Sequence, residues 1–301
     1  MKHSIGIVIP TFQGIKHLSK SLPILLKSPI KPRILIVDSS STDGTAEYAA
    51  SLGVEVISIL QKDFNHGTTR ELGRHHLKTS IVVMMTQDAY PKENTIEHLI
   101  SPLVKGEASI AYARQIPHED ADIFASFSRE FNYADEGHIR SIQEVNHYGV
   151  YTFFCSNSCA AYMNSALDEV GGFPAVLFGE DTFCVAKLLH RHHRIAYVAE
   201  AEVYHSHNYS LKNEFQRHFD MGLARKDLEK LMQGSGGDGK RGKQFVKQLL
   251  LVLWEKNPKL IPYALLQTFS KFSGYHLGKK GHLFPRWFKR FCSSQKFYWN
   301  L

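Results

Sequence analysis

The 301-residue sequence has little of what marks a secreted or membrane-spanning protein. Its four cysteines do not show the paired spacing of a disulfide framework, and Cys155 and Cys159 with the nearby His147 do not match a zinc-binding pattern. We therefore expect reduced thiols and a cytoplasmic location. No run of apolar residues approaches the roughly 20 that a bilayer-spanning helix requires. The chain passes from Met1 almost directly into a predicted strand, so we expect no signal peptide.

The sequence also lacks the glycine motifs of two common nucleotide-binding classes. No P-loop is present and no G-x-G-x-x-G follows a predicted strand, which disfavours an ATPase and a dinucleotide-dependent dehydrogenase. A charged content of 22% argues against disorder, and a hydrophobic content of 43% is enough for a sizeable core. The net charge of +7 predicts an anionic partner, such as a nucleotide, a membrane surface or a nucleic acid.

What the sequence does contain is an alternation of strands and helices along its first half. Residues 81–85 are apolar without a polar break, which is typical of a strand buried on both faces of a parallel sheet. Further strands are predicted at 5–9, 33–37 and 54–60. Helices are predicted at 15–27 and 46–50, and a third helix begins within the segment 64–70 and ends at 77. This rhythm predicts an α/β fold with a mostly parallel central sheet.

The second half is less regular. Strands are predicted at 108–114, 158–163 and 195–198, and helices at 120–137, 178–192 and 210–232. A glycine-rich stretch at 234–239 is the one segment with the composition of a linker, and amphipathic helices are predicted after it at 244–254 and 260–272.

Charged residues recur at strand ends or helix starts: Asp38, Arg70, Asp88 and the pair Glu180–Asp181. In open α/β sheets ligands bind at the carboxyl edge, so this placement predicts a nucleotide site there. Asp88 follows the 81–85 strand, where a metal-bound phosphate would lie. An aspartate that caps a helix or stabilises a turn is an equally good interpretation of Asp88.

Two loops suggest contacts with such a nucleotide. The carboxylate of Asp38 can accept a hydrogen bond from the imide N–H of a pyrimidine base, or it can cap the helix that follows. Gly67 allows the backbone to approach a diphosphate, and N–H groups at a helix start stabilise anions. Arg70 adds a fixed positive charge to the same loop.

Several segments, in order along the chain, resemble one family. Residues 8–12 (Val-Ile-Pro-Thr-Phe) and 36–45 (Ile-Val-Asp-Ser-Ser-Ser-Thr-Asp-Gly-Thr) resemble the N-terminal half of glycosyltransferase family 2, whose members are inverting nucleotide-sugar transferases of the GT-A fold. Residues 64–70, 86–89, 179–181 and 203–208 are similar to the rhamnosyltransferase branch, which uses dTDP-L-rhamnose. The resemblance covers about residues 4 to 230, and it is the order of the motifs that makes it specific.

The resemblance implies a domain organisation and a donor site. A GT-A domain would span 1–232, with a nucleotide-binding half of about 1–115 and an acceptor half of about 116–232, followed by a helical extension over 240–301. The turn at 10–12 and Asp38 would hold the base, and Arg70 would stabilise the diphosphate. The implied donor-binding residues are Pro10, Thr11, Phe12, Asp38, Ser40, His66, Gly67, Arg70, Gln87 and Asp88.

A divalent metal, Mg²⁺ or Mn²⁺, is also implied. Asp88 matches the last acid of the family's Asp-x-Asp motif, in which Thr86 and Gln87 replace the first two residues. A single carboxylate suits Mg²⁺ and leaves strict metal dependence open. His205 or His207 would add a ligand or a phosphate contact, and both would point to one side if they lay on a strand. Histidines without a ligand role are the alternative for both positions.

The resemblance further assigns the catalytic acids. Inversion requires one base that deprotonates the acceptor hydroxyl as it attacks the anomeric carbon. Asp181 matches the family's base, and Glu180 would orient the acceptor or the loop. The alternative is that both acids only stabilise the start of a helix.

The tail from 279 to 301 is basic and aromatic, a composition that suits an anionic membrane interface. A packed helix with a solvated basic face is the alternative, and no nucleic acid is expected because no recognised binding fold accompanies the tail.

The resemblance therefore implies transfer of L-rhamnose from dTDP-L-rhamnose to a glycan or lipid-linked glycan during surface-polysaccharide (O-antigen) synthesis, at the inner face of the cell membrane. The alternatives are a UDP-linked donor and a non-catalytic module that binds a sugar nucleotide or a nucleic acid. The sequence does not predict an oligomeric state.

Overall fold

The computed structural model describes residues 3–237 and 239–300. Its strands are β1 (Ile5–Thr11), β2 (Arg33–Asp38), β3 (Glu55–Ser58), β4 (Ile81–Met85), β5 (Tyr90–Pro91), β6 (Ile110–Ile116), β7 (His138–Arg140), β8 (Cys159–Met163) and β9 (Ile195–Tyr204). They form one sheet in the order β3-β2-β1-β4-β8-β6-β9-β5, and β7 also pairs with β9. The predicted α/β fold with a mostly parallel sheet is confirmed.

The helices are α1 (Ile15–Leu26), α2 (Thr45–Ser51), α3 (His66–Leu77), α4 (Thr95–Val104), α5 (Ile123–Asn132), α6 (Val145–Tyr148), α7 (Asn164–Glu169), α8 (Glu180–His190), α9 (Leu211–Asp227), α10 (Gly239–Lys256), α11 (Ile261–Lys279) and α12 (Arg286–Cys292). The predicted 120–137 helix is shorter, because Asp122 caps α5 by accepting a hydrogen bond from the backbone N–H of Ala125. The predicted 195–198 strand is longer and continues to Tyr204.

Strand direction brings many loops to one edge of the sheet. β1, β2 and β4 are parallel, and β6 and β9 are parallel to each other. β8 is antiparallel to both β4 and β6, so it lies between two strands that run the same way. The carboxyl ends of β1, β2, β4, β6 and β9 therefore share an edge with the start of β8. We call it the site edge.

The sheet is covered on both faces, which holds the site edge rigidly. Side chains alternate along β1: Ile7 and Ile9 belong to the core that includes α1 and α4, whereas Val8 belongs to the core that includes α8. All four cysteines are unpaired and buried. Within 3–237 and 239–300, no helix combines the length and apolar character needed to cross a membrane.

Helices α9 and α11 pack at backbone distance. A Cβ atom added to Gly274 would lie 2.3 Å from the carbonyl oxygen of Phe215, and one added to Gly278 would lie 2.0 Å from that of Phe219. Only glycine permits this approach, which attaches the C-terminal helices firmly to the preceding domain. The boundary between 232 and 240 remains a prediction.

Gly278→Ala should lower the free energy of unfolding by about 1–3 kcal/mol, because the added methyl group forces the two helices apart. Gly242→Ala is the matched control, since that helical glycine has open space around its Cα. There we expect an increase of about 0.5–1 kcal/mol from the better helix propensity of alanine. Urea unfolding of both variants gives the comparison, and equal shifts would contradict the close packing.

Candidate active site

The ends of β1 and β2 are joined by the buried carboxylate of Asp38. It accepts hydrogen bonds from the hydroxyl of Thr11 at 3.0 Å and from the backbone N–H and hydroxyl of Ser41 at 2.8 and 2.6 Å. Of the roughly four lone-pair sites of a carboxylate, three are therefore occupied. Asp38 does not cap α2: the N-cap of that helix is Gly44, and Asp43 accepts from the N–H of Thr45. One acceptor site of Asp38 therefore has no hydrogen-bond partner among the described residues, and its contact with a donor remains a prediction.

The turn after β1 is fixed by Gln87. Its side-chain oxygen accepts from the N–H of Phe12 at 2.9 Å, and its side-chain nitrogen donates to the carbonyl of Phe12 at 3.2 Å. The phenyl ring of Phe12 is left 41% exposed at the site edge. Ser40 is also exposed, and its hydroxyl donates to the carbonyl of Ile59. Gln87 thus positions the turn through its backbone, and its predicted contact with a donor remains a prediction.

Asp88, His205 and His207 converge at the same edge. The Nε2 atoms of His205 and His207 lie 3.5 and 3.4 Å from the two carboxylate oxygens of Asp88 and 3.2 Å from each other. All three potential ligand atoms lie within 4.8 Å of one another, as a metal site requires. The two histidines follow the end of β9 rather than lying on a strand, so strand alternation does not bring them together.

Gln115 orients His205 within this group. The Nδ1 atom of His205 lies 2.9 Å from the side-chain oxygen of Gln115, whose side-chain nitrogen donates to the hydroxyl of Ser156 at 2.8 Å. An amide oxygen can only accept, so Nδ1 carries a proton, and the Nε2 atom that faces Asp88 and His207 is the one that becomes a metal ligand when it loses its proton. Such a partner is typical of metal-binding histidines.

The charges of the group also suit a cation. Burial alone would raise the pKa of Asp88, but the hydrogen bond and charge of His205, with the charge of His207, hold it well below its usual range. Burial and, second, the positive charge of His205 lower the pKa of His207 to about 4. At neutral pH the group therefore offers a carboxylate and a neutral imidazole, both of which bind metals.

A second polar centre lies at the starts of α3 and α8. The guanidinium of Arg70 contacts the carboxylate of Glu180 at 3.0 Å, and both side chains are almost completely buried. Glu180 also accepts from the side-chain N–H of Asn157 at 3.1 Å. The backbone N–H of Asn157 donates to Asp181 at 3.3 Å. Arg70, predicted to contact a diphosphate, is therefore paired with one of the predicted catalytic acids.

The two adjacent acids have opposite pKa shifts. Burial alone would raise the pKa of Glu180, but the charges of Arg70 and His66, with the hydrogen bond of Asn157, together lower it. Burial, followed by the negative charge of Glu180, raises the pKa of Asp181 to about 7. Asp181 also accepts from the N–H of Thr182 at 2.6 Å, a contact expected of a helix-capping acid, but that contact alone would lower its pKa. Asp181 remains partly exposed, so it can exchange a proton with a ligand near neutral pH.

The segment Ser156–Asn157–Ser158 connects the two centres. Ser156 receives the hydrogen bond of Gln115, Asn157 binds both acids, and the carbonyl of Ser158 accepts from the N–H of Thr86, two residues before Asp88. Sequence analysis missed Gln115 and this segment because uncharged amides and hydroxyls are common in loops. The polar run between the buried Cys155 and Cys159 was the only signal.

The loop at the start of α3 has internal partners for its N–H groups. The side-chain oxygen of Asn65 caps the helix by accepting from Gly67 at 3.0 Å and Thr68 at 3.2 Å. A Cβ atom on Gly67 would lie 1.9 Å from the carbonyl oxygen of Pro174, so packing already requires glycine here. His66 is also mostly enclosed, with its ring edge-on to Phe64. Donor contacts of His66 and Gly67 remain predictions.

Arg217 was missed by the sequence analysis although it is a strong candidate for anion binding. Its guanidinium lies 4.7 Å from the ring centre of Tyr209, and that ring lies 5.1 Å from the ring of His207. Among residues 3–237 and 239–300, no carboxylate forms an ion pair with Arg217 or with Arg129. The Nε atom of Arg129 is buried without a hydrogen-bond partner, and the charges of both arginines help to lower the pKa of His207.

Residues 6–171 match the sequence profile of glycosyl transferase family 2. The O-antigen chain rhamnosyltransferase WbaN of Salmonella anatum is 38% identical over 302 residues, which cover 99% of this chain and 96% of the relative. The O-antigen chain rhamnosyltransferase RfbN of Salmonella typhimurium is 36% identical over 305 residues, covering 98% and 96%.

Two groups of solved structures share the fold. The mannosyltransferase PcManGT of Pyrobaculum calidifontis, in complex with GDP-Man and Mn²⁺, aligns with a TM-score of 0.58 at 14% identity, covering 100% of this chain and 86% of its own. Residues 1–349 of S. aureus TarS in complex with UDP-GlcNAc align with a TM-score of 0.54 at 12% identity, covering 93% and 91%. At such identities the likeness shows the fold alone.

We expect the Asp88–His205–His207 group to bind Mn²⁺ more tightly than Mg²⁺, because two imidazoles suit a transition metal better than Mg²⁺. Titration calorimetry should show that Asp88→Ala weakens Mn²⁺ binding strongly and that Gln115→Ala weakens it by about 10–100-fold through the loss of His205 orientation. His98→Ala, at an exposed position on α4, is the control. Unchanged Mn²⁺ affinity in both site variants would contradict the assignment.

Proposed function

The chain belongs to glycosyltransferase family 2, and from that premise we propose that it is an inverting rhamnosyltransferase. It moves L-rhamnose from dTDP-L-rhamnose onto a glycan or lipid-linked glycan in O-antigen synthesis. The family match and the solved structures confirm the predicted GT-A fold and the class of enzyme. Transfer of rhamnose in O-antigen synthesis is supported by the names of the two relatives, which match along nearly their whole length.

One observation carries the mechanism. The carboxyl group of Asp181, with a pKa of about 7, is connected through hydrogen bonds of residues 156–158 to the Asp88–His205–His207 group, which is suited to a cation. Asp181 in its ionised form accepts the proton of the acceptor hydroxyl while the hydroxyl oxygen bonds to the anomeric carbon. The bond to the diphosphate breaks on the opposite side, which inverts the configuration. Glu180 is held ionised by Arg70, so its role is to raise the pKa of Asp181 rather than to accept the proton.

Asp88, His205 and His207 would hold Mg²⁺ or Mn²⁺, and the donor set fits because each contributes one ligand atom to the same small space. When bound, the metal supplies positive charge that stabilises the leaving diphosphate. In this chain one carboxylate and two histidines take the place of the family's paired acids, and Gln115 keeps the Nε2 lone pair of His205 available.

The base of the donor is assigned to the turn after β1 and the end of β2. The free acceptor site of Asp38 suits the imide N–H of a pyrimidine, and the exposed ring of Phe12 offers a stacking surface. Thymine and uracil present the same imide edge. A UDP-linked donor therefore remains the alternative. The choice of rhamnose depends on the two relatives named as rhamnosyltransferases, whereas the choice of dTDP depends on the family resemblance.

Arg217 is assigned to the leaving diphosphate. Arg70 is neutralised by Glu180, whereas Arg217 has aromatic neighbours and no carboxylate partner in the described part of the chain. Its position beside Tyr209 and His207 places a free positive charge next to the metal-binding group. Such a charge stabilises negative charge that develops as the donor bond breaks.

The acceptor is assigned to the partly exposed side of Asp181. A lipid-linked glycan would be presented at the inner face of the cell membrane, and we place the enzyme there as a peripheral protein. A free glycan of the same structure would serve as a soluble acceptor in assays.

Incubation with dTDP-L-rhamnose and lipid-linked glycan acceptors, followed by mass spectrometry, should show transfer of one deoxyhexose. Asp181→Asn should retain donor binding but lose transfer by about 10²–10⁴-fold. For the wild type, activity should rise between pH 5 and 8 with a midpoint near 7, because protonation below the raised pKa of about 7 removes the base.

Glu180→Gln should shift that midpoint to lower pH, since the charge that raises the pKa of Asp181 is lost. The exposed Asp63→Asn is the control. A nearly active Asp181→Asn enzyme would refute the base assignment, and transfer only from UDP-linked sugars would refute the donor.

Arg217→Gln should lower kcat/KM for the donor by about 10–100-fold, the usual worth of a hydrogen bond to a charged group. Binding of inorganic pyrophosphate, measured by calorimetry, should weaken in parallel, and Arg217→Lys should retain part of both. Lys212→Gln removes the same charge from an exposed position on α9 and is the matched control. Unchanged pyrophosphate affinity in Arg217→Gln would refute this assignment, and Arg70 would again be the candidate for contact with the diphosphate.

A further inference from the structure

The positive charge of the protein is concentrated at its C-terminus. Residues 239–301 contain 13 lysines and arginines but only one acid, Glu255, which gives this region a charge of +12. The whole chain carries +7, so the preceding residues are net acidic. A surface built from this region therefore attracts anions even though the rest of the protein repels them.

Helix α11 has two very different faces. One face carries the small residues that contact α9, including Gly274 and Gly278. The opposite face carries large apolar side chains that are 52–68% exposed: Leu265, Leu266, Phe269 and Phe272. Their spacing of three and four residues places them on one side of the helix. An apolar stripe turned away from the core indicates an external partner.

The neighbouring helices repeat the pattern. Leu283, Trp287 and Phe291 follow one another at intervals of four residues, and each is 69–73% exposed. On α10, Trp254 is 72% and Leu251 is 56% exposed. Lysines and arginines are interspersed with these rows, among them Lys247, Lys280 and Arg290. Exposed aromatic rings beside cationic side chains are characteristic of helices that lie in a lipid interface.

We propose that the row Leu265, Leu266, Phe269 and Phe272 of α11, assisted by Leu283, Trp287 and Phe291, docks on an anionic lipid bilayer. We call these seven residues the apolar docking face. The rings and aliphatic side chains enter the boundary between headgroups and acyl chains, while the surrounding lysines and arginines bind anionic headgroups. This inference deepens the proposed function, because it puts the enzyme where a lipid-linked acceptor is found.

The charge distribution favours a bilayer over a second copy of the chain. A dimer through the docking face would bring two regions of +12 together, and their repulsion opposes association. An anionic bilayer is complementary to the same charge and attracts each lysine or arginine near its surface.

Ser294, Gln295 and Phe297 do not belong to this face. The N–H and hydroxyl of Ser294 donate to the buried carboxylate of Asp220, and the ring of Phe297 packs against Phe64. Gln295 hydrogen bonds with His66 at the start of α3. Truncation of the tail would therefore disturb the domain itself, so single substitutions on α11 are the better test.

The test is flotation with vesicles of phosphatidylcholine that contain phosphatidylglycerol, compared with pure phosphatidylcholine vesicles. Wild-type protein should float with the anionic vesicles. The Phe269→Glu variant should bind these vesicles at least about tenfold more weakly, because burial of one large apolar side chain is lost and a negative charge is added. Leu266→Glu should behave in the same way. Val104→Glu makes the same kind of change at a 50% exposed position on α4 and should bind like the wild type.

Circular dichroism and thermal unfolding should be unchanged in these variants, since the substituted side chains are exposed. Equal vesicle binding by Phe269→Glu and the wild type would overturn the proposal. So would a dimer in sedimentation equilibrium that Phe269→Glu converts to a monomer, because a second copy would then occupy the face. Vesicle binding requires neither donor nor acceptor, so it is decided separately from the transferase assay.

Discussion

The buried ion pair between Arg70 and Glu180 is the interaction on which the proposed chemistry depends. Removal of one partner from such a pair typically costs about 3–5 kcal/mol, because an unpaired charge is left without water. The pair joins α3 to α8 and keeps Glu180 ionised beside Asp181. The same negative charge raises the pKa of Asp181 towards neutrality. A contact that stabilises the packing of two helices thus also sets the protonation of their neighbour.

The antiparallel direction of strand β8 allows one segment to contact both polar centres. Because β8 runs against β4 and β6, its first residues lie at the same edge as the ends of those strands. The segment before it can then contact Gln115 on one side and both acids on the other. A fully parallel sheet would have placed that segment at the opposite edge, away from both centres.

Local signals in the sequence were sufficient for β1 to β4 and for the position of Asp38 and Asp88 at strand ends, because buried apolar runs followed by an acid are recognisable within a few residues. The roles of Glu180 and Asp181 came from the family resemblance. The convergence of Asp88 with His205 and His207 could only be inferred from the family resemblance, since more than 100 residues separate them. Gln115, Asn157 and Arg217 were missed because their significance depends on partners distant in the chain. For the same reason the pairing of Arg70 with Glu180 was not predicted from two residues that each looked free.

The glycine contacts between α9 and α11 have a consequence for the choice of acceptor. α9 carries Arg217, and α11 carries the apolar docking face, so two helices locked at backbone distance connect the diphosphate region to the surface that would meet the bilayer. A flexible tether would let the catalytic centre sample many heights above the lipid. Under the proposed function, a rigid attachment would fix one height, so that only a lipid-anchored glycan whose free end reaches that height would present its terminal hydroxyl to Asp181.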